Sequence, residues 1–185
     1  MEETHLDENI VNESEHTYAG FWVRTFAALI DGLVLFPLSA LYMLILVGIN
    51  SLALTMLGLI AAMIYKPYME YRYGATLGKM ALGIKVVSEE NEALTPTQAF
   101  MRYIPWMVGN VISTFSIVMM YMSDGIGGAD SFMEISQIMA EQGNSSLSSI
   151  SGLIIIVIAL SVAFDAQKRG LHDKFAKTIC VYKEK

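Results

Sequence analysis

Four stretches of this chain are too long and too apolar to be ordinary core segments of a soluble domain. They run from about Phe21 to Gly48, Leu52 to Tyr68, Phe100 to Met122 and Leu147 to Phe164. A helix rises about 1.5 Å per residue, so some 20 apolar residues cross the roughly 30 Å hydrocarbon core of a bilayer. Predominantly apolar runs of this length do so as helices, because helices satisfy every backbone group internally. The predicted fold class is therefore an all-α membrane protein, a four-span transmembrane helical bundle. Composition agrees: charged residues make up 16% of the chain, against roughly 25% in soluble domains. Pro37 inside the first run predicts a kink. Tyr65, Tyr68, Tyr71 and Tyr73 close the second run like an interfacial aromatic belt.

The basic residues orient the bundle. Arg24, then Lys66, Arg72, Lys79, Lys85 and Arg102, then Lys168, Arg169, Lys174, Lys177, Lys183 and Lys185 account for all 12 Lys and Arg. The turn at 48–51 and the connection at 123–146 hold none. Short loops rich in Lys and Arg stay in the cytoplasm. Both termini and the 66–102 connection are thus expected inside, and 123–146 outside. The net charge of -6 comes from an acidic tail over residues 1–18, expected to be disordered, and from acids near 124–141. Nowhere do basic residues cluster as a nucleic-acid surface requires. Cys180 stands alone, so no internal disulfide and no multi-cysteine metal site is expected. No cofactor is expected either.

The connections carry local signals. Ser131 and Glu134 form a capping box ahead of Ile135, Ile138 and Met139, which predicts a short amphipathic helix over 131–141. Two placements are open for it, on the outer membrane surface or packed against its own spans. Asn144-Ser145-Ser146 is a formal glycosylation sequon. Leu82–Val87 and Thr178–Lys183 are β-prone runs on the cytoplasmic side and predict an antiparallel two-stranded clip at the interface. Gly74-Ala75-Thr76-Leu77-Gly78-Lys79-Met80 fails as a phosphate loop: it has three residues between its glycines and Met after Lys. Glycines four apart instead predict close backbone packing, and Lys79 is expected to snorkel to the interface.

Charged residues inside spans are costly and need a partner or a task. Arg24 and Asp31 are seven apart, nearly on one helical face but roughly 10 Å apart along the axis. Helical side chains lean towards the N-terminus, so the short Asp31 does not close that gap. Arg24 is expected to meet an acid from elsewhere, and Asp173, just inside the fourth span, has the right depth. Asp31 is left to find its own donor, among Asn110, Ser113, Thr114, a tyrosine or water. His172, beside Asp173, is an accessory group whose ordinary titration lies near neutral pH.

Three ordered blocks carry a resemblance. They are Ala19-Gly20-Phe21-Trp22-Val23-Arg24 leading to Leu29-Ile30-Asp31, then Gly74–Lys79 with Leu82–Val87, then Leu171-His172-Asp173 with Ala176-Lys177-Thr178. Together they resemble the RDD family of bacterial membrane proteins, whose one Arg and two Asp match Arg24, Asp31 and Asp173. The resemblance covers about residues 18–185, and residues 19–185 are read as one membrane domain. It departs at Met80, where the family usually has a basic residue, and in the length of the 123–146 loop. It implies a multi-pass protein of the bacterial inner membrane. Some members resemble cation/proton antiporters in reported activity, and others serve as partners of membrane complexes.

Two functions follow as expectations. In the first, Asp31 is the ion-binding or coupling carboxylate of a small-cation/proton antiporter, because a buried carboxylate trades a proton for a cation. Four spans barely enclose a path, so this reading brings a homodimer or larger oligomer. In the second, the chain is a non-transporting module that binds or regulates another membrane protein or a hydrophobic ligand, with Arg24 and Asp173 a structural pair and Lys79 and Asn110 accessory. An enzyme is not expected, since one histidine near one acid without a nucleophile is not a site.

Overall fold

A computed structural model describes residues 17–49, 51–122, 128–129, 131–143 and 146–183. In chain order these form α1 (Phe21–Gly48), α2 (Leu52–Tyr73), α3 (Leu77–Ala81), β1 (Ile84–Ser88), α4 (Pro96–Met122), α5 (Phe132–Gly143), α6 (Ser146–Phe164), α7 (Leu171–Phe175) and β2 (Thr178–Tyr182). The chain is mostly helical with one small sheet. Among the described residues three helices are long and apolar enough to cross a membrane: Phe21–Ile45, Leu52–Tyr73 and Pro96–Met122. A shorter apolar helix runs over Gly152–Phe164. Leu29, Leu33, Phe36, Leu41 and Leu44 along α1 are exposed, which in water would be prohibitive and in a bilayer is the lipid-facing surface.

Two helix bounds differ from those expected. α2 runs on to Tyr73 rather than stopping at 68. It passes through Pro67 and ends only at Gly74, whose left-handed φ of 68° closes the helix with an N–H to the Glu70 carbonyl. The tyrosine belt is therefore helical. α4 begins at Pro96 rather than 100. Thr95 and Gln98 cap it reciprocally, Gln98 N–H donating to Thr95 Oγ1 at 3.2 Å and Thr95 N–H to Gln98 Oε1 at 3.0 Å. Proline at the first helical position completes the start.

The two β-prone runs pair as an antiparallel clip, with Ile84 opposite Tyr182 and Val86 opposite Cys180. Tyr18 bridges Val181 on the other edge of β2, and Ala19 N–H donates to the Cys180 carbonyl at 2.8 Å. Thr17 and Tyr18, grouped with the acidic tail in the sequence, thus extend the sheet; the rest of that tail lies outside the described residues. Ala19, Ala27, Ile84, Val86, Leu94 and Cys180 form the core beneath the clip. The helix expected over 131–141 is α5, with Glu134 N–H donating to Ser131 Oγ at 3.2 Å. Its Ile135 is buried against Met120 and Ala129, with Ile138 alongside, while Phe132 and Met133 are exposed. Of the two placements open from sequence, this face packs on the chain's own helices. The sequon at Asn144 falls outside the described residues.

Gly78 is where α3 meets α1. A Cβ there would lie 2.0 Å from the Ala27 carbonyl oxygen and 2.8 Å from Asp31 N, whereas one at Gly32 meets nothing within 4 Å. Gly78→Ala should therefore lower the thermal midpoint in detergent, at a cost of about 1–3 kcal/mol or more. Gly32→Ala should leave it within about 1 kcal/mol, on the stabilising side. Equal midpoints for the two variants would show that α3 does not press on α1.

Candidate functional site

The charged side chains gather at one end of the bundle, beneath the clip. α1 contributes Arg24 from its first turn, α2 Glu70 from its last, and α4 Arg102 from its second. α3 supplies Lys79 and α7 supplies Asp173. They form a line of alternating charge: Lys79–Glu70–Arg102–Asp173–Arg24. Asp173, Glu70 and Arg102 are buried, at 0%, 1% and 3% exposure.

Hydrogen bonds tie the members of this line to one another and to the backbone. Glu70 accepts from Lys79 Nζ at 2.5 Å on Oε1 and from Arg102 Nε at 3.0 Å on Oε2. Arg102 Nη1 donates to Asp173 Oδ1 and to Thr178 Oγ1 on β2. Arg24 Nη1 donates to Asp173 Oδ2, while its Nε and Nη2 reach the Ala19 and Lys168 carbonyls at 2.8 and 2.7 Å. Asp173 also caps its own short helix, accepting from Gly170 N–H at 3.0 Å. Burial alone would push the Asp173 carboxyl up, but Arg102, His172 and Arg24 outweigh it and hold the group well below the usual carboxylate range. His172 Nε2 lies 3.1 Å from Asp173 Oδ1. Burial pushes His172 down, with the hydrogen bond to Asp173 pulling the other way.

Asp31 stands apart from this line. Thr76 Oγ1 donates to its Oδ2 at 2.6 Å and Gly78 N–H to its Oδ1 at 2.7 Å, with Tyr65 OH at 3.5 Å. A tyrosine was among the expected donors, but the two short bonds come from the Gly74–Lys79 block. Asn110 is not among them: its Nδ2 donates to Tyr103 OH at 2.8 Å and the Trp106 carbonyl at 3.0 Å within its own helix. Lys79 departs from expectation too. Rather than snorkelling to water, it turns in to Glu70, because a buried carboxylate one turn from the end of α2 needs a second cation.

Glu70 and Arg102 belong to this line but not to the pairs expected from the sequence. A signal existed: Glu70 is the one acid between residues 32 and 88, a stretch that also holds Lys66, Arg72, Lys79 and Lys85. Among the described residues no three His, Cys, Asp or Glu side chains are placed to hold a metal ion. What the arrangement does chemically is fasten: one guanidinium joins α2, α4, α7 and β2, and a second adds α1.

The model of the RDD family matches residues 18–177. An uncharacterized membrane protein of Bacillus subtilis strain 168, YteJ, is 27% identical over 180 residues, which cover 91% of this chain and 84% of that protein. The uncharacterized protein YxaI of the same organism is 25% identical over 190 residues, covering 89% and 97%. No solved structure matches. With its long apolar helices and these relatives, the chain is a membrane protein.

Asp173→Ala should be the most damaging change in the line, costing about 3–5 kcal/mol because it strands Arg102 in the interior. In a cycle with Arg24→Ala, the double variant should lose less than the sum of the two, read as thermal midpoints in detergent; strict additivity would mean that the residues do not interact. Acid adds a second readout. A depressed Asp173 contributes stability that is present above its unfolded value near 3.9 and lost as pH falls towards its folded value. His172, depressed as a base, is protonated more readily when unfolded, so stability should also decline as pH falls through about 6.5. His172→Gln should flatten the decline between about pH 7 and 5, and Asp173→Asn the one below about pH 4. Unchanged profiles in both variants would remove these groups as its source.

Proposed function

We propose that this chain, which belongs to the RDD family, is a four-span module of a bacterial cytoplasmic membrane that binds another membrane protein or a hydrophobic ligand and catalyses no reaction. α6, at 19 residues, would reach about 28 Å and serve as the fourth span. The distribution of Lys and Arg supports cytoplasmic termini and a cytoplasmic clip. The observation that carries the binding reading is the commitment of the carboxylates. Glu70 and Asp173 are held by arginine and lysine, and both Asp31 oxygens are taken by donors that belong to the fold. Such a site is a fixture rather than a carrier that alternates between proton and cation. For a hydrophobic ligand there is an apolar groove of about 450 Å³ between α2 and α4, lined by Ile64, Pro67, Tyr68, Phe100, Tyr103 and Met107.

One observation favours a second reading, small-cation/proton antiport by a homodimer or larger oligomer. Asp31 and Glu70 are the acids of the three long helices, and among the described residues no lysine or arginine forms an ion pair with Asp31.

Purified protein in liposomes, tested for cation-driven proton movement, separates the two. Under the binding reading wild type moves no protons, Asp31→Asn is nearly as stable as wild type, and Asp31→Leu loses about 1–3 kcal/mol by stranding Gly78 N–H and the Thr76 hydroxyl. Wild-type flux that Asp31→Asn abolishes in a well-folded protein would establish antiport instead. Topology has its own check. In a Cys180→Ser background, a cysteine at Ser145 should label from outside and one at Glu90 should not; the reverse would invert the protein in the membrane.

A further inference from the structure

Lys66 stands one turn before Glu70 on α2, yet it takes no part in the line of ion pairs. Its Nζ lies 4.4 Å from the centre of the Trp106 ring on α4, and no oxygen among the described residues accepts a hydrogen bond from it. Glu70 and Asp31 are near enough for the ammonium to feel. Their oxygens are already occupied, by Lys79 and Arg102 in one case and by Thr76 and Gly78 in the other. A lysine ammonium has three donors and no acceptor. A ring face answers part of its charge but none of its hydrogen bonds.

The ring beneath it has the same need. Trp106 Nε1 is buried and has no acceptor among the described residues, and an indole N–H only donates. The charges that act on this point do not cancel: Lys66, Lys79 and Arg102 stand against Glu70 and Asp31. One positive charge and two unanswered kinds of donor therefore meet between α2 and α4. A tetrahedral oxyanion answers all of these together, offering separate oxygens to the ammonium and to the indole edge. Its source follows from position. Tyr68 and Tyr71, exposed on the next turns of α2, mark the level at which a bilayer presents its headgroups.

We propose that Lys66 and Trp106 form a binding site for a phosphate-type oxyanion, supplied by an anionic phospholipid headgroup or by soluble phosphate. The site depends on neither functional reading above, since both leave Lys66 without a role.

The test uses the full chain in nanodiscs of neutral phosphatidylcholine. The chain has 2 tryptophans, so Trp22→Phe leaves Trp106 as the single reporter. Phosphatidylglycerol in the disc, or inorganic phosphate in solution, should change Trp106 emission saturably, whereas further phosphatidylcholine should not. A response to phosphatidylglycerol alone assigns the headgroup; a response to inorganic phosphate alone assigns a soluble ligand. Lys66→Met should weaken the response about tenfold or more, as loss of a charged hydrogen bond implies, without lowering the thermal midpoint in neutral discs. Lys66→Arg should keep it within a few-fold. The proposal is overturned if neither probe acts on the parent, if phosphatidylcholine acts as well as phosphatidylglycerol, or if Lys66→Met responds like the parent. Should Lys66→Met fail to fold, the parent and Lys66→Arg still decide.

Discussion

Arg102 is a guanidinium enclosed at the end of a membrane protein, and an uncompensated charge there would cost several kcal/mol. Most of the architecture at this end follows from answering it. Glu70 meets it from α2 and Asp173 from α7, while Thr178 of β2 takes a further hydrogen bond. Each answer creates a new demand, because the single charge of Arg102 cannot neutralise both of the buried carboxylates it joins. Lys79 and Arg24 meet those demands and bring α3 and α1 into register. The clip above is held to this line by Thr178, and Asp31 fixes α3 to α1 from the other side through Gly78 and Thr76. Hydrophobic burial contributes little to such specificity in a bilayer, where lipid is as apolar as leucine. Polar geometry has to supply it.

That division explains what the sequence revealed. Hydropathy located the long helices because lipid imposes their length, and β-branched runs on one side of the membrane located the clip. The Arg24–Asp173 contact was legible from a negative argument: seven residues along a helix separate Arg24 from Asp31 too far for so short an acid. Apolar counting cuts helix ends short where polar residues continue the helix. Thr95-Pro96-Thr97-Gln98 is a capping box with proline at the first position, and it adds a turn that apolar counting ignores. Glu70 sits among the tyrosines that end α2, where an acid among so many cations is itself a signal.

The partners of Asp31 were beyond this kind of reading. One is a backbone N–H, which every residue but proline possesses and which leaves no trace in the sequence. What exposes it is the steric intimacy at Gly78, where the Ala27 carbonyl occupies the space a side chain would need. The glycine spacing showed that some backbone comes close there, but not which one.

The sheet joins segments far apart in the sequence. Thr17–Ala19 pair with β2, and Arg24 finds its carboxylate on α7, so the start of α1 is completed by residues about 150 positions further along. Until residues 173–182 emerge, Arg24 and Arg102 lack their Asp173 partner. The bundle is thus assembled before it is fastened. A chain that stops short of Asp173 therefore leaves both guanidiniums without that carboxylate and β1 without its partner strand.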